Sequence, residues 1–126
     1  GDEVLIMLAQ AMRRSFRFDD QLFRFGGEEF IALLQPADEA DALAVLERFR
    51  SDIEQQSFSR VGKITVSVGF SALRPNDTPT DVIDRADEAL YYTKHHGRNQ
   101  VACYERLVAA GAVAVKEIAK GEVELF

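Results

Sequence analysis

Cys103 is the only cysteine in the 126 residues, so no disulfide can form within the chain. That usage suits a reducing, cytoplasmic setting. No apolar run approaches the roughly 20 residues a membrane-spanning helix needs, and no secretory leader opens the sequence. Basic residues are in deficit: the formal net charge is −6, which argues against a nucleic-acid backbone as the main partner. The deficit leaves phosphorylated small molecules open, because a few well-placed Lys and Arg side chains and a bound cation set the field inside a pocket. Histidine occurs only at His95 and His96, without the spacing of a metal site, and reads as a solvated pair. Neither a dinucleotide glycine fingerprint nor a Walker-type phosphate loop is present, and no stretch repeats. What remains is an ordinary soluble balance, 47% hydrophobic and 29% charged, in a length that suits one core rather than two.

The apolar residues fall into alternating periods. Val4, Leu5, Leu8, Ala11 and Met12 recur at helical spacing over 3–14, with Asp2 in the N-cap place. Leu22–Phe25 and Phe30–Leu34 are β-prone runs separated by Gly26-Gly27-Glu28-Glu29, a hairpin signal because primed turns need a positive φ. Pro36 and Asp38 close the hairpin and open a helix over 39–55 with the stripe Leu43, Leu46, Phe49 and Ile53. Ile64–Phe70 alternates with period two and predicts a strand. A further helix, capped by Thr80 or Asp81, runs to about His96, with Val82, Ile83, Ala86, Leu90 and Tyr91 on its buried side and Gly97 at C′. A last strand covers 100–104, and 105–126 is a weakly helical tail. The order α-β-β-α-β-α-β predicts an α/β (α+β) fold in which helices cover an at least partly antiparallel sheet.

Three groups of residues carry possible chemistry. In the Gly26-Gly27-Glu28-Glu29 turn, missing side chains let a phosphate or ribose approach the backbone. Adjacent strand residues face opposite ways, so at most one of Glu28 and Glu29 aims at a given ligand; a hairpin with solvated carboxylates is the bland alternative. Lys94 and Arg98, four residues apart, suit either a triphosphate or a helix C-terminal dipole. Asp2 is a plain N-cap or a carboxylate that reads a base edge.

Taken together the motifs resemble the GGDEF family of diguanylate cyclases, in its Gly-Gly-Glu-Glu-Phe form. Besides residues 26–30, Gly1-Asp2 is similar to the close of the family's GHxxGD segment. Thr65, Ser67 and Gly69 match a TxSxG strand, and Ala86–Lys94 matches ADxALYxAK with Thr93 in place of the usual alanine. Gly97-Arg98-Asn99 matches GRN. The resemblance covers 1–104 and implies an adenylyl-cyclase-like, ferredoxin-like mixed sheet flanked by helices. It implies condensation of two GTP into cyclic di-GMP and two pyrophosphates across an antiparallel homodimer.

By that resemblance Glu28 holds Mg²⁺ (or Mn²⁺) and Glu29 supports it. Gly26 and Gly27 admit the nucleotide, Asp2 reads guanine, and Lys94 and Arg98 bind phosphates. Arg17 and Asp20 form the RxxD site for inhibitory cyclic di-GMP, supported by Arg48. The family's N-terminal βαβ portion, with a further metal-binding aspartate, is expected to be missing, so this chain by itself is expected to turn over weakly or not at all. An upstream sensor domain is implied for the parent protein. The alternative function is a catalytically silent module that senses cyclic di-GMP.

Overall fold

A computed structural model describes residues 2–15, 21–26, 29–36, 38–56 and 62–114. The elements are α1 (Asp2–Ser15), β1 (Gln21–Gly26), β2 (Glu29–Leu33), α2 (Glu39–Gln55), β3 (Val68–Phe70), α3 (Pro79–His95), β4 (Val101–Cys103) and α4 (Tyr104–Ala109). β1 and β2 pair antiparallel, and β3 and β4 pair parallel. Among the described residues these pairs stand as two separate two-stranded sheets. The expected mixture of helices with parallel and antiparallel strands is therefore present. No described helix is long and apolar enough to cross a membrane.

One core cluster joins α1 to α2. Ala11 and Met12 are buried against Phe49 and Ile53, and Met7, Leu8, Ile64 and Val66 pack around them. The spacings on both helices are those of a face repeating every three to four residues. α2 buries Ala42, Leu46, Phe49 and Ile53, so Leu43 of the expected stripe is displaced by Ala42 and lies half-buried. The helix starts as its sequence suggests: Asp38 Oδ1 accepts from the Asp41 amide at 2.8 Å. At α1 the expectation needs correction, since Asp2 is the first helical residue rather than the cap before it.

The strand expected over 64–70 is regular only at Val68–Phe70. Only these three residues meet a partner, Val101, Ala102 and Cys103 in turn, and a strand is defined by its ladder as much as by its pattern. The alternation upstream is still real in terms of faces. Ile64 and Val66 pack on the α1–α2 core while Thr65 is exposed.

α3 is capped by Thr78, not by Thr80 or Asp81. Thr78 Oγ1 accepts from the Asp81 amide at 3.2 Å, and Asp81 Oδ2 accepts from the Thr78 amide at 2.9 Å. Pro79 explains the shift: lacking an N–H, it suits the first helical position, which makes its predecessor the cap and Asp81 the third helical residue. The buried line of α3 runs through Ala89 and Thr93. Thr93 is fully buried, and its hydroxyl donates to the Leu90 carbonyl at 2.7 Å, which is how this helix accommodates a buried hydroxyl. Tyr91, expected in the core, is 64% exposed. Two helical steps from both Ala89 and Thr93 carry it about 200° round, to the side away from the buried line, and its ring stacks on His95 instead, with centroids 3.9 Å apart.

β3 lies directly on the backbone of α3. A Cβ at Gly69 would stand 2.2 Å from the Leu90 amide nitrogen and 2.5 Å from the Ala86 carbonyl oxygen. β4 ends sooner than expected, because Tyr104 already belongs to α4. Tyr104 is buried with Ala89 and Ala102, and Leu107, Val108 and Val113 pack on this second cluster. Residues 115–126 lie outside the described residues.

A polar network fastens the 71–78 loop to α3 and α4. Arg85 forks onto Asp77 at 3.0 and 2.6 Å and also donates to Ser71 Oγ and the Ala72 carbonyl. Glu105 accepts from Ser71 Oγ at 2.7 Å and from Arg74 at 3.1 Å. The Arg85 hydrogen bonds, opposed by burial and helped by the Arg74 amide, hold the Asp77 carboxyl at about 2, below its ordinary 3.8. A depressed carboxylate stabilises the fold fully above its unfolded value and loses that contribution as the pH falls through the folded one. The melting temperature is therefore expected to fall as pH drops from about 4 toward 2. Asp77→Asn should flatten that part of the profile when followed by circular dichroism; an unchanged slope would contradict the assignment.

Candidate active site

The glycine-rich stretch folds as the hairpin its sequence suggests. Arg24 pairs with Phe30, then the register shifts so that Gly26 pairs with Glu29. Phe25 is the extra residue of this bulge, a device that bends a strand and raises its twist. Gly27 and Glu28 connect the paired residues and lie outside the described residues, as do Arg17 and Asp20 of the RxxD motif. Asp2 and Glu29 are placed by their backbones alone, at the first positions of α1 and β2. Arg48 is exposed on α2.

The two candidate phosphate cations are described. Lys94 is exposed in the last turn of α3, and Arg98 is exposed in the turn that follows. The helix ends between them, at His95, so a shared helical face does not relate them. The turn does: the Arg98 amide donates to the Thr93 carbonyl at 2.8 Å across Gly97, the hydrogen bond that wraps a helix end around a C′ glycine. Lys94, His95 and Arg98 thus crowd the negative end of the α3 dipole.

His95 and His96 are exposed, as expected of a solvated pair, yet each is anchored. Their Nδ1 atoms lie 2.8 Å from the carbonyls of Tyr91 and Tyr92. A carbonyl only accepts, so both Nδ1 atoms carry hydrogen and donate.

After Gly97 the chain stays in the left-handed region for two more residues. Arg98 has φ 59° and Asn99 has φ 47°. For residues with a side chain this costs on the order of 1 kcal/mol or more each. The offset comes from Asn99, whose Oδ1 accepts from Arg50 at 2.8 Å and whose Nδ2 donates to Glu54 at 2.5 Å. The Asn99 amide also donates to Ser67 Oγ at 3.1 Å. These hydrogen bonds, Asn99's foremost and then Arg50's, pull the Glu54 carboxyl below its ordinary range. In the sequence Asn99 and Ser67 stand only as letters of motifs, and Arg50 carries no signal of its own. The available signal was an asparagine directly after Gly-Arg, a residue type enriched at positive φ.

Among the described residues one set of side chains has metal-ligand proximity: Glu39, Cys103 and Glu105, with ligand atoms within 4.8 Å of one another. It does not suit Mg²⁺, which prefers oxygen donors alone. Burial pushes the Cys103 thiol up to about 11, so it stays protonated, and Arg106 occupies Glu39 at 2.6 Å.

The family model described as "Diguanylate cyclase, GGDEF domain" matches residues 1–100. The chain belongs to the GGDEF family. Diguanylate cyclase DgcM of Escherichia coli (strain K12) is 39% identical over 101 residues, and Diguanylate cyclase A of Treponema denticola is 38% identical over 105. Each alignment takes in 80% of this chain but only 25% and 28% of the relative, so the chain spans about a quarter of the length of the curated relatives it matches. Among solved structures, the GGDEF domain of DgcB from Caulobacter crescentus, in complex with c-di-GMP, has a TM-score of 0.76 at 32% identity. That alignment covers 82% of this chain and 64% of that one. The active GGEEF domain of a diguanylate cyclase from Vibrio cholerae has a TM-score of 0.75 at 32% identity, covering 82% and 67%. This GGDEF domain therefore has the mixed α/β fold of those neighbours.

Proposed function

We propose that this GGDEF domain condenses two GTP molecules into cyclic di-GMP, releasing two pyrophosphates. The observation that carries the reading is the intact Gly-Gly-Glu-Glu-Phe sequence at the junction of two antiparallel strands that pair at Gly26 and Glu29, inside a family match that spans 1–100. The neighbours' diguanylate cyclase names support it.

In this reading Gly26 and Gly27 offer backbone without side chains to the nucleotide. Asp2 accepts from the guanine N1–H and exocyclic amine, a pair adenine does not present in that arrangement. Lys94 and Arg98 hold the triphosphate from the end of α3. Glu28, supported by Glu29, offers the hard carboxylate oxygens that suit Mg²⁺ or Mn²⁺. A divalent cation there supplies positive charge where the departing pyrophosphate accumulates negative charge. The ribose 3′-oxygen forms its bond to the α-phosphorus of the other nucleotide as the α–β bridge breaks, and the hydroxyl proton passes to a hairpin carboxylate. One site holds one GTP and makes one bond, so two copies facing each other complete the ring. Arg17 and Asp20, with Arg48, form a separate site for the product. Signal input comes from other parts of the longer protein, which acts in the cytoplasm.

The intact protein, given GTP and Mg²⁺, is expected to yield cyclic di-GMP and pyrophosphate in a 1:2 ratio by chromatography. Arg17→Ala is expected to keep that synthesis while losing inhibition by added cyclic di-GMP. A wild-type protein that binds cyclic di-GMP yet makes none is a sensor module, and the proposal fails. Loss of synthesis along with inhibition in Arg17→Ala would count against a separate inhibitory site.

A further inference from the structure

Gly97, Arg98 and Asn99 form a run of three positive φ angles, 104°, 59° and 47°. Such a run persists in arginine and asparagine only where the surroundings over-determine it, and strain of this kind collects at ligand-binding positions. The surroundings here come from three directions. From α3, the Thr93 carbonyl accepts the Arg98 amide. From the segment before β3, Ser67 Oγ accepts the Asn99 amide. From α2, Arg50 and Glu54 close a triangle with the Asn99 side chain. Arg50 Nη1 donates to Asn99 Oδ1 at 2.8 Å and to Glu54 Oε1 at 3.2 Å, and Asn99 Nδ2 donates to Glu54 Oε2 at 2.5 Å. Arg50 is itself steadied by Glu47, whose Oε1 accepts from its Nε at 2.8 Å. Arg50 has only 14% of its side chain accessible, against 45% for Glu54.

We propose that Arg50, Glu54 and Asn99 are positioning residues for Arg98: they hold its backbone in the left-handed turn so that its exposed guanidinium is presented, already oriented, to a nucleoside triphosphate. The proposal rests on the reading of Arg98 as a triphosphate ligand. α2 thereby takes part in substrate binding without touching substrate. A cation fixed in place before binding loses less freedom on binding than one on a mobile turn. The clamp acts through the main chain: these hydrogen bonds grip the Arg98 and Asn99 amides and the Asn99 side chain, while Arg98 itself stays exposed.

The test uses the intact protein and follows the KM for GTP alongside the melting temperature, at temperatures where each variant is folded. Asn99→Ala is expected to raise KM about tenfold. Asn99→Gly, which adopts the left-handed region without strain and so folds readily, is expected to raise it several-fold. In an Arg98→Ala background, Asn99→Gly should add nothing further. Asn99→Asp faces Glu54 with a second carboxylate and is expected to weaken GTP. Adding Glu54→Gln exchanges donor and acceptor across the same contact and should restore KM. If Arg98→Ala raises KM while Asn99→Gly leaves it unchanged, the clamp is overturned and the ligand role of Arg98 stands. Additive effects of Asn99→Gly and Arg98→Ala also overturn the clamp. If Arg98→Ala itself leaves KM unchanged, both ideas fall together.

Discussion

Glu28→Gln in the intact protein is expected to lower the rate of cyclic di-GMP synthesis at least ~100-fold, the scale of removing one electrostatic stabiliser from a transition state. Glutamine keeps the length and one oxygen of the side chain but abolishes the charge, so the hairpin itself should fold unchanged. The loss should therefore appear in pyrophosphate release, while the melting temperature stays near that of the parent. Gly26 pairs with Glu29, and in sequence Glu28 falls between those two paired residues, next to a glycine whose missing side chain admits a ligand. Near-normal synthesis by the variant would reduce Glu28 to a solvated carboxylate on a turn.

Gly69→Ala is expected to destabilise the fold by about 3 kcal/mol or more, at the upper end for forcing atoms into packed space. That corresponds to a melting temperature lower by about 10 °C in a chain of this size. The added Cβ would meet the Leu90 nitrogen at 2.2 Å, the Ala86 oxygen at 2.5 Å and the Ala89 carbonyl carbon at 2.8 Å. All three are main-chain atoms of a hydrogen-bonded helix, so none can turn aside as a flexible side-chain end would. β3 would have to lift from α3, and β4, which pairs with β3, would move with it. The turn at 97–99 is tied to the same strand region through Ser67, so GTP affinity should fall too. A melting temperature within a degree or two of the parent would show that β3 and α3 have room that the geometry denies.

The parts of this fold that were legible in sequence are those set by local rules. The hairpin followed from two glycines between β-prone runs. α2 followed from Asp38 and the Leu46–Phe49–Ile53 spacing, and the end of α3 followed from Gly97. Misplacements occurred where a second rule competed. Pro79 moved the α3 cap to Thr78, and period two over 64–70 recorded which residues face the core, not where β4 supplies a partner. Tyr91 sits within a motif but off the buried line, where a large apolar ring is exposed. The clamp on Asn99 was not legible, because its partners Glu54 and Arg50 stand 45 and 49 residues away in sequence and neither has a pattern that points to it. Long-range polar contacts of this kind leave no periodic trace.

In the proposed reaction a guanosine triphosphate lies between the carboxylates of the Gly-Gly-Glu-Glu stretch and the cations at the end of α3. A crystal of the intact protein with a non-hydrolysable GTP analogue and Mn²⁺, read by anomalous scattering, tests this most directly. The expected map places the manganese signal on Glu28 and the triphosphate against Lys94 and Arg98. A nucleotide bound away from the hairpin, or a metal signal that Glu28 does not share, would contradict it.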